Sequence, residues 1–191
     1  MRTWTAIGTL LATTAVLLLR VEVPVAAGAD PVLRCQAGKL AAARDELVAR
    51  LACEQRGLGG ASTAACITAA ARHRDAAFAR REGAGTCGTV GDSVILGDAV
   101  EKTVSTLRGV LLPGGPTPSV CTARQLAAAR DAIGRLVRAH LRDAQTPDPV
   151  GLAATIAAAR AELARRFARA AARGDCLSTR SAADVSDILE S

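Results

Sequence analysis

The sequence predicts an all-α protein made of two tandem, disulfide-stapled antiparallel helical hairpins, each followed by a third packing helix. Three observations predict it. Between turn signals, apolar residues recur at the three- and four-residue spacing of a helix face. The segment from Cys35 to Asp45 returns from Cys121 to Asp131 with 8 of 11 positions identical, so the chain repeats one supersecondary unit. Six cysteines stand at or near the ends of the helical stretches, where they can close hairpins. Half of the 191 residues are hydrophobic, but much of that half is alanine, with two Phe, one Trp and no Tyr. Alanine buries little apolar area, so the expected core is thin and covalent closure matters to it.

Residues 1–29 read as a signal peptide. Arg2 precedes an apolar run from Trp4 to Leu19, short for a membrane span, and Ala27-Gly28-Ala29 has the small-x-small form of a cleavage site. The expected mature chain begins at Asp30, has no membrane span, and is exported to a periplasmic or extracellular space where cysteines oxidise. Asp30-Pro31 offers an N-cap followed by an N1 proline.

Repeat 1 occupies 30–112. Its first helix runs from Cys35 to about Cys53, with Leu40, Ala43, Leu47 and Leu51 on one face. Gly57-Leu58-Gly59-Gly60 breaks it. Ser62 or Thr63 caps the second helix, from Cys66 to about Glu82, which turns Ile67, Ala70, Ala71, Ala77 and Phe78 inward. Asp92-Ser93 starts a third helix with Leu96, Val100, Val104, Leu107 and Leu111 on its seam. Residues 113–120 form a Pro/Gly linker. Repeat 2 occupies 121–191. Thr122 and Gln125 suggest a capping box, and the helix continues through Ile133, Leu136, Val137 and Leu141. Asp148 caps the next helix and Pro149 starts it; Ile156 and Phe167 take the positions of Ile67 and Phe78. Ser181 and Asp184 form a capping box for a short last helix carrying Val185, Ile188 and Leu189. The Leu96–Leu111 helix is expected to join the two repeats into one bundle.

The repeat also narrows the cysteine pairing. Cys35 corresponds to Cys121 and Cys87 to Cys176, whereas Cys53 falls on Ala139 and Cys66 on Thr155. Two cysteines missing together from repeat 2 are most simply partners in repeat 1. The expected disulfides are Cys35–Cys87, Cys53–Cys66 and Cys121–Cys176, which suits an antiparallel hairpin closed at both ends. The spacings contain no CxxC and no CxxCH, and do not fit a zinc site.

The leading C-x-A-x-x-L-A-A-A, the cysteines at the end of that helix and the start of the next, then Phe-Ala-Arg, Gly and a closing cysteine, resemble cysteine-stapled helical-hairpin repeats of uncharacterised secreted bacterial proteins. That resemblance implies a stapled hairpin followed by a third helix. It implies no activity.

No motif calls for a cofactor or a metal. Gly83-Ala-Gly-Thr-Cys-Gly88 fits G-x-G-x-x-G by letter, but the nucleotide-binding version needs a preceding strand, and here a helix precedes. It reads as a helix end and turn. His73 and His140 are the only histidines; with Asp75 and Asp143 nearby they are the sole opening for an enzyme reading. Asp45 and Asp131 follow Arg44 and Arg130 and read as surface charge. The formal net charge is +6, carried by arginine with only two lysines, Lys39 and Lys102. Arg135, Arg138 and Arg142 share a face of one helix, and Arg165, Arg166, Arg169 and Arg173 cluster on the next. Such stripes suit an acidic envelope polymer or other polyanion. Nucleic acid is disfavoured by export and by the lack of aromatics to stack on bases. The expected function is a secreted, non-catalytic structural or interaction module with a protein or acidic-polymer partner. The alternatives are a polyanion-binding protein using the arginine stripes, and an enzyme of unknown type.

Overall fold

A computed structural model describes residues 30–190, and the signal-peptide reading of 1–29 lies outside them. Six helices follow in order: α1 Pro31–Gly57, α2 Ala64–Glu82, α3 Ser93–Leu111, α4 Val120–Gln145, α5 Pro149–Ala171 and α6 Ala182–Glu190. No strand occurs among the described residues. Residues 31–190 pack as one unit. Helix α1 lies against α2, and α4 against α5; the repeats meet chiefly through α1 on α4, with α3 packed on α1 and α6 bridging α3 and α5. The joint between the repeats is therefore α1 against α4 more than the α3 helix that the sequence suggested.

Disulfides set the hairpins. Cys35 joins Cys87, Cys53 joins Cys66 and Cys121 joins Cys176, with Cα atoms 5.3, 5.9 and 4.8 Å apart. The first and third tie the start of a repeat's first helix to the turn after its second helix. In that turn Gly85 and Gly174 adopt φ of 71° and 79°, a left-handed backbone that a side chain would strain. Gly83–Gly88 is thus a helix end and turn, as its sequence context indicated.

One apolar cluster spans both repeats. Leu47 and Leu51 of α1, Val100, Val104, Leu107 and Leu111 of α3, Leu126 and Ile133 of α4, Leu163 and Phe167 of α5 and Val185 of α6 all belong to it. Each large member contributes about 1.5–3 kcal/mol relative to exposure. Ala43, Ala128, Ala129 and Ala132 lie in the same cluster, and their small side chains let α1 and α4 approach closely. Helix α2 contributes no residue to this cluster.

Helix α2 buries only Ala70 and Phe78 as apolar residues, outside that cluster, and buried charge adds to its hold. Glu46 of α1, with its side chain wholly buried, accepts from Arg50 at 2.8 Å and from Arg74 of α2 at 2.6 Å. Arg74 also pairs with Asp75, and Arg50 with Glu101 of α3. Gly97 of α3 leaves room for the Arg74 guanidinium, which any Cβ there would strike. At the far end Lys39, only 2% exposed, reaches Asp92 at 2.6 Å, Glu82 at 2.7 Å and the Thr89 carbonyl at 2.7 Å, over the ring of Phe78. In repeat 2 the positions of Glu46, Arg50 and Arg74 hold Ala132, Leu136 and Leu163. The ionic contact of one repeat is an apolar contact in the other.

Several local expectations change. Leu40 is 44% exposed and Lys39 takes the inward position, because α1 is packed on three helices and one of its buried faces is ionic. The α4 cap is Ser119, whose hydroxyl accepts from Thr122 N at 3.0 Å, so Thr122 and Gln125 form no capping box. Gln125, at the position of Lys39, is buried instead, and its Oε1 has no hydrogen-bond partner. Thr63 stands at the α2 N-cap but makes no side-chain cap bond. The caps at Asp148 and at Ser181–Asp184 form as the sequence indicates.

Two predictions follow from how α2 is held. Cys53→Ala/Cys66→Ala should cost about 3 kcal/mol, lowering Tm by roughly 6–12 °C, with amide protection lost first in α2. Thermal melts and hydrogen exchange check this; uniform loss of protection would contradict it. Lys39→Met should cost about 2–3 kcal/mol by stranding two half-buried carboxylates. The Lys39 hydrogen bond, backed by Thr89, outweighs burial and lowers the Asp92 pKa, so Asp92's contribution is present above the ordinary carboxylate range and fades as pH falls through its folded pKa. Burial would lower the Lys39 pKa, but Asp92 and Glu82 outweigh it and raise it, so its contribution fades only as pH rises past the ordinary lysine range. Lys39→Met should therefore flatten both the acid and the alkaline limbs of a stability–pH profile.

Candidate anion-binding groove

The hairpins differ most at their loop ends. In repeat 1 the Cys53–Cys66 disulfide draws α1 and α2 together, and Arg56 lays its guanidinium on Cys66 Sγ, 3.7 Å from Cys53 Sγ. In repeat 2 Ala139 and Thr155 stand at the cysteine positions. A groove of about 440 Å³ lies there between α4 and α5, lined by Arg135, Arg138, Ala139, Arg142, Ala154, Thr155, Ala158 and Ala159. Arg142 takes the position of Arg56, while Arg135 and Arg138 replace Ala49 and Ala52.

Helix geometry puts the arginines on one wall. At 100° per residue, positions 135, 138 and 142 fall within about 60° of one another and along about 10 Å of axis. All three are exposed. Arg138 and Arg142 make no side-chain hydrogen bond or ion pair with the described residues. The α5 wall offers only alanine and Thr155, whose hydroxyl donates to the Gly151 carbonyl at 2.8 Å. No acidic side chain lines the groove. Toward the middle of the hairpin it gives way to Asp131, Glu162 and Arg166, beside Arg135.

Three α5 arginines are spent in that neighbouring cluster, and a fourth, Arg160, pairs with Glu190 of α6. Arg166 reaches Asp131 at 2.5 Å. Arg165 and Arg169 reach Glu162 at 2.6 and 3.5 Å. Burial would raise the Asp131 carboxyl, but the Arg166 hydrogen bond and charge, with Arg130, hold it below the ordinary range. The Arg165 hydrogen bond chiefly, with the charges of Arg165, Arg169 and Arg135, does the same for Glu162. Arg173 lies past the α5 C-cap, exposed and outside the groove. The two sequence stripes are therefore not one surface: Arg135, Arg138 and Arg142 line the groove, and Arg165, Arg166 and Arg169 are paired with carboxylates. Asp131 ties α4 to α5 rather than standing as surface charge alone. Asp45 is 52% exposed and pairs with its neighbour Arg44. His73 and His140 are exposed, and neither lines the groove.

No protein-family model, curated protein or solved structure matches the chain.

If the groove stands where a staple is absent, Ala139→Cys/Thr155→Cys should oxidise to a fourth disulfide. The expected gain is about 3 kcal/mol, or roughly 6–12 °C in Tm. Non-reducing mass mapping and a melt check both; two free thiols at 139 and 155 after oxidation would mean the helix ends stand too far apart.

Proposed function

We propose that this protein is an exported, non-catalytic helical module that binds an anionic partner in the groove between α4 and α5. The observation that carries the reading is the composition of that groove: three arginines, no acidic residue, and small side chains opposite. On the facing helix Arg165, Arg166 and Arg169 are paired with Glu162 and Asp131, whereas Arg138 and Arg142 of this wall are paired with no carboxylate among the described residues. Export is supported by three disulfides and by the lack of any described helix long and apolar enough to cross a membrane. A structural role for the stapled frame goes with this reading, since the frame fixes the two walls of the groove.

Purified oxidised protein should be retained on heparin and on immobilised polyphosphate at low salt. Arg135→Ala/Arg138→Ala/Arg142→Ala should weaken binding on the order of 100-fold and lower the slope of log affinity against log salt by about 2–3. The charge-matched Arg34→Ala/Arg72→Ala/Arg80→Ala, on the other hairpin, should leave both nearly unchanged. Equal loss in the two triple variants would reduce the interaction to net charge and overturn the groove; retention on neither matrix would overturn anion binding.

A further inference from the structure

Resting on that reading, we infer that the groove selects a linear chain of phosphate groups, about three long, over carboxylate polymers and saccharides. The inference comes from a count of donors and acceptors. Each guanidinium brings five N–H donors and no acceptor. The remaining lining side chains are alanine and Thr155, whose one O–H is already given to Gly151. A ligand seated here finds many donors and almost no side-chain acceptor. It must therefore be rich in acceptors and poor in donors of its own.

That requirement separates the classes of polyanion. A uronic-acid or sulfated saccharide carries hydroxyl donors that would be left unpaired on burial, which costs free energy. An acidic peptide carries an amide N–H at each residue, with the same defect. Phosphates linked through ester or anhydride oxygen present non-bridging acceptors at every link and need no donors of their own. The planar arginine fork meets two such oxygens at once, which a lysine ammonium cannot do. Neither Phe78 nor Phe167 lines the groove, so no ring is offered for a nucleobase to stack on.

Length is set by the arginines and by what closes the groove. Their axial steps are about 4.5 and 6 Å, so they address successive charges along a line rather than converging on one group. Toward the middle of the hairpin Asp131 and Glu162 border the groove and already occupy Arg166, Arg165 and Arg169, so no unpaired guanidinium is offered to a further phosphate there. A chain enters from the loop end and is counted to about three charges.

The test is calorimetric titration of the oxidised protein with inorganic phosphate, pyrophosphate, tripolyphosphate, tetrapolyphosphate, a glycerol phosphodiester trimer, citrate and triglutamate. Affinity should rise through tripolyphosphate and gain less than about twofold at tetrapolyphosphate. A phosphate trimer should bind at least tenfold tighter than citrate or triglutamate. Arg135→Lys/Arg138→Lys/Arg142→Lys, which keeps the charge, should lose about tenfold for the phosphate chains and little for citrate; a melt superimposing on the parent's shows that the variant is folded. Tighter binding of tripolyphosphate than of the glycerol trimer, whose linkers each carry a hydroxyl donor, points to an anhydride chain and supports the inference; tighter binding of the glycerol trimer overturns the exclusion of hydroxyl-bearing ligands. Equal affinity for tripolyphosphate, the phosphodiester trimer, citrate and triglutamate, with the lysine variant unchanged, overturns phosphate selection and leaves anion binding standing. Absence of binding to every anion overturns both.

Discussion

Everything in this fold depends on closing a helical hairpin whose alanine-rich faces bury little area. The Cys35–Cys87 and Cys121–Cys176 disulfides do this at the same place in both repeats, tying the start of the first helix to the turn after the second. Each spans a loop of more than fifty residues, long enough for cross-linking to contribute about 4 kcal/mol in the chain-entropy picture. With the outer ends fixed, α1 and α4 can pack through alanines, and α3 and α6 need only add leucine, valine and isoleucine on top.

From that shared frame the repeats take different routes. Helix α5 reaches the common core with Leu163 and Phe167, so apolar burial holds it against α4. Helix α2 carries Arg74 at the position of Leu163, and its hold on α1 is Glu46 with Arg50 behind it. A buried ion pair returns little net stability once both charges are desolvated. The second disulfide at Cys53 and Cys66 compensates where apolar burial is limited to Ala70 and Phe78. Repeat 2 has the burial and lacks the staple, so its loop end is open, and it is there that Arg135, Arg138 and Arg142 stand. Packing chemistry in the middle of a hairpin and site chemistry at its end are linked through this one exchange.

Much of the frame was legible in the sequence: the helices, the seam of α3, the caps at Asp148 and Ser181, and the correspondence of Ala139 and Thr155 with Cys53 and Cys66. Helical periodicity and turn residues are local signals, and the repeat supplied the long-range ones. What was not legible is also physical. The burial of Lys39, Glu46 and Arg74 has no signal in the sequence, because a sequence shows charge but not its partners across helices, and those lie 28 to 53 residues away. Leu40 was misplaced for the same reason. The arginine stripes looked alike in sequence; only the positions of Asp131 and Glu162 distinguish the neutralised stripe from the open one. The groove itself could have been found by noting that Ala139 shares a helix face with Arg135 and Arg142.

The measurement that tests the central claim most directly is a heteronuclear NMR titration of the oxidised protein with tripolyphosphate, following arginine Nε–Hε and backbone amide signals. The account predicts saturable shifts at Arg135, Arg138 and Arg142 and along Ala154 to Ala159, with Arg56 and the α2 amides still. Shifts centred on Arg165, Arg169 and Arg173, or spread evenly over the basic surface, would contradict it.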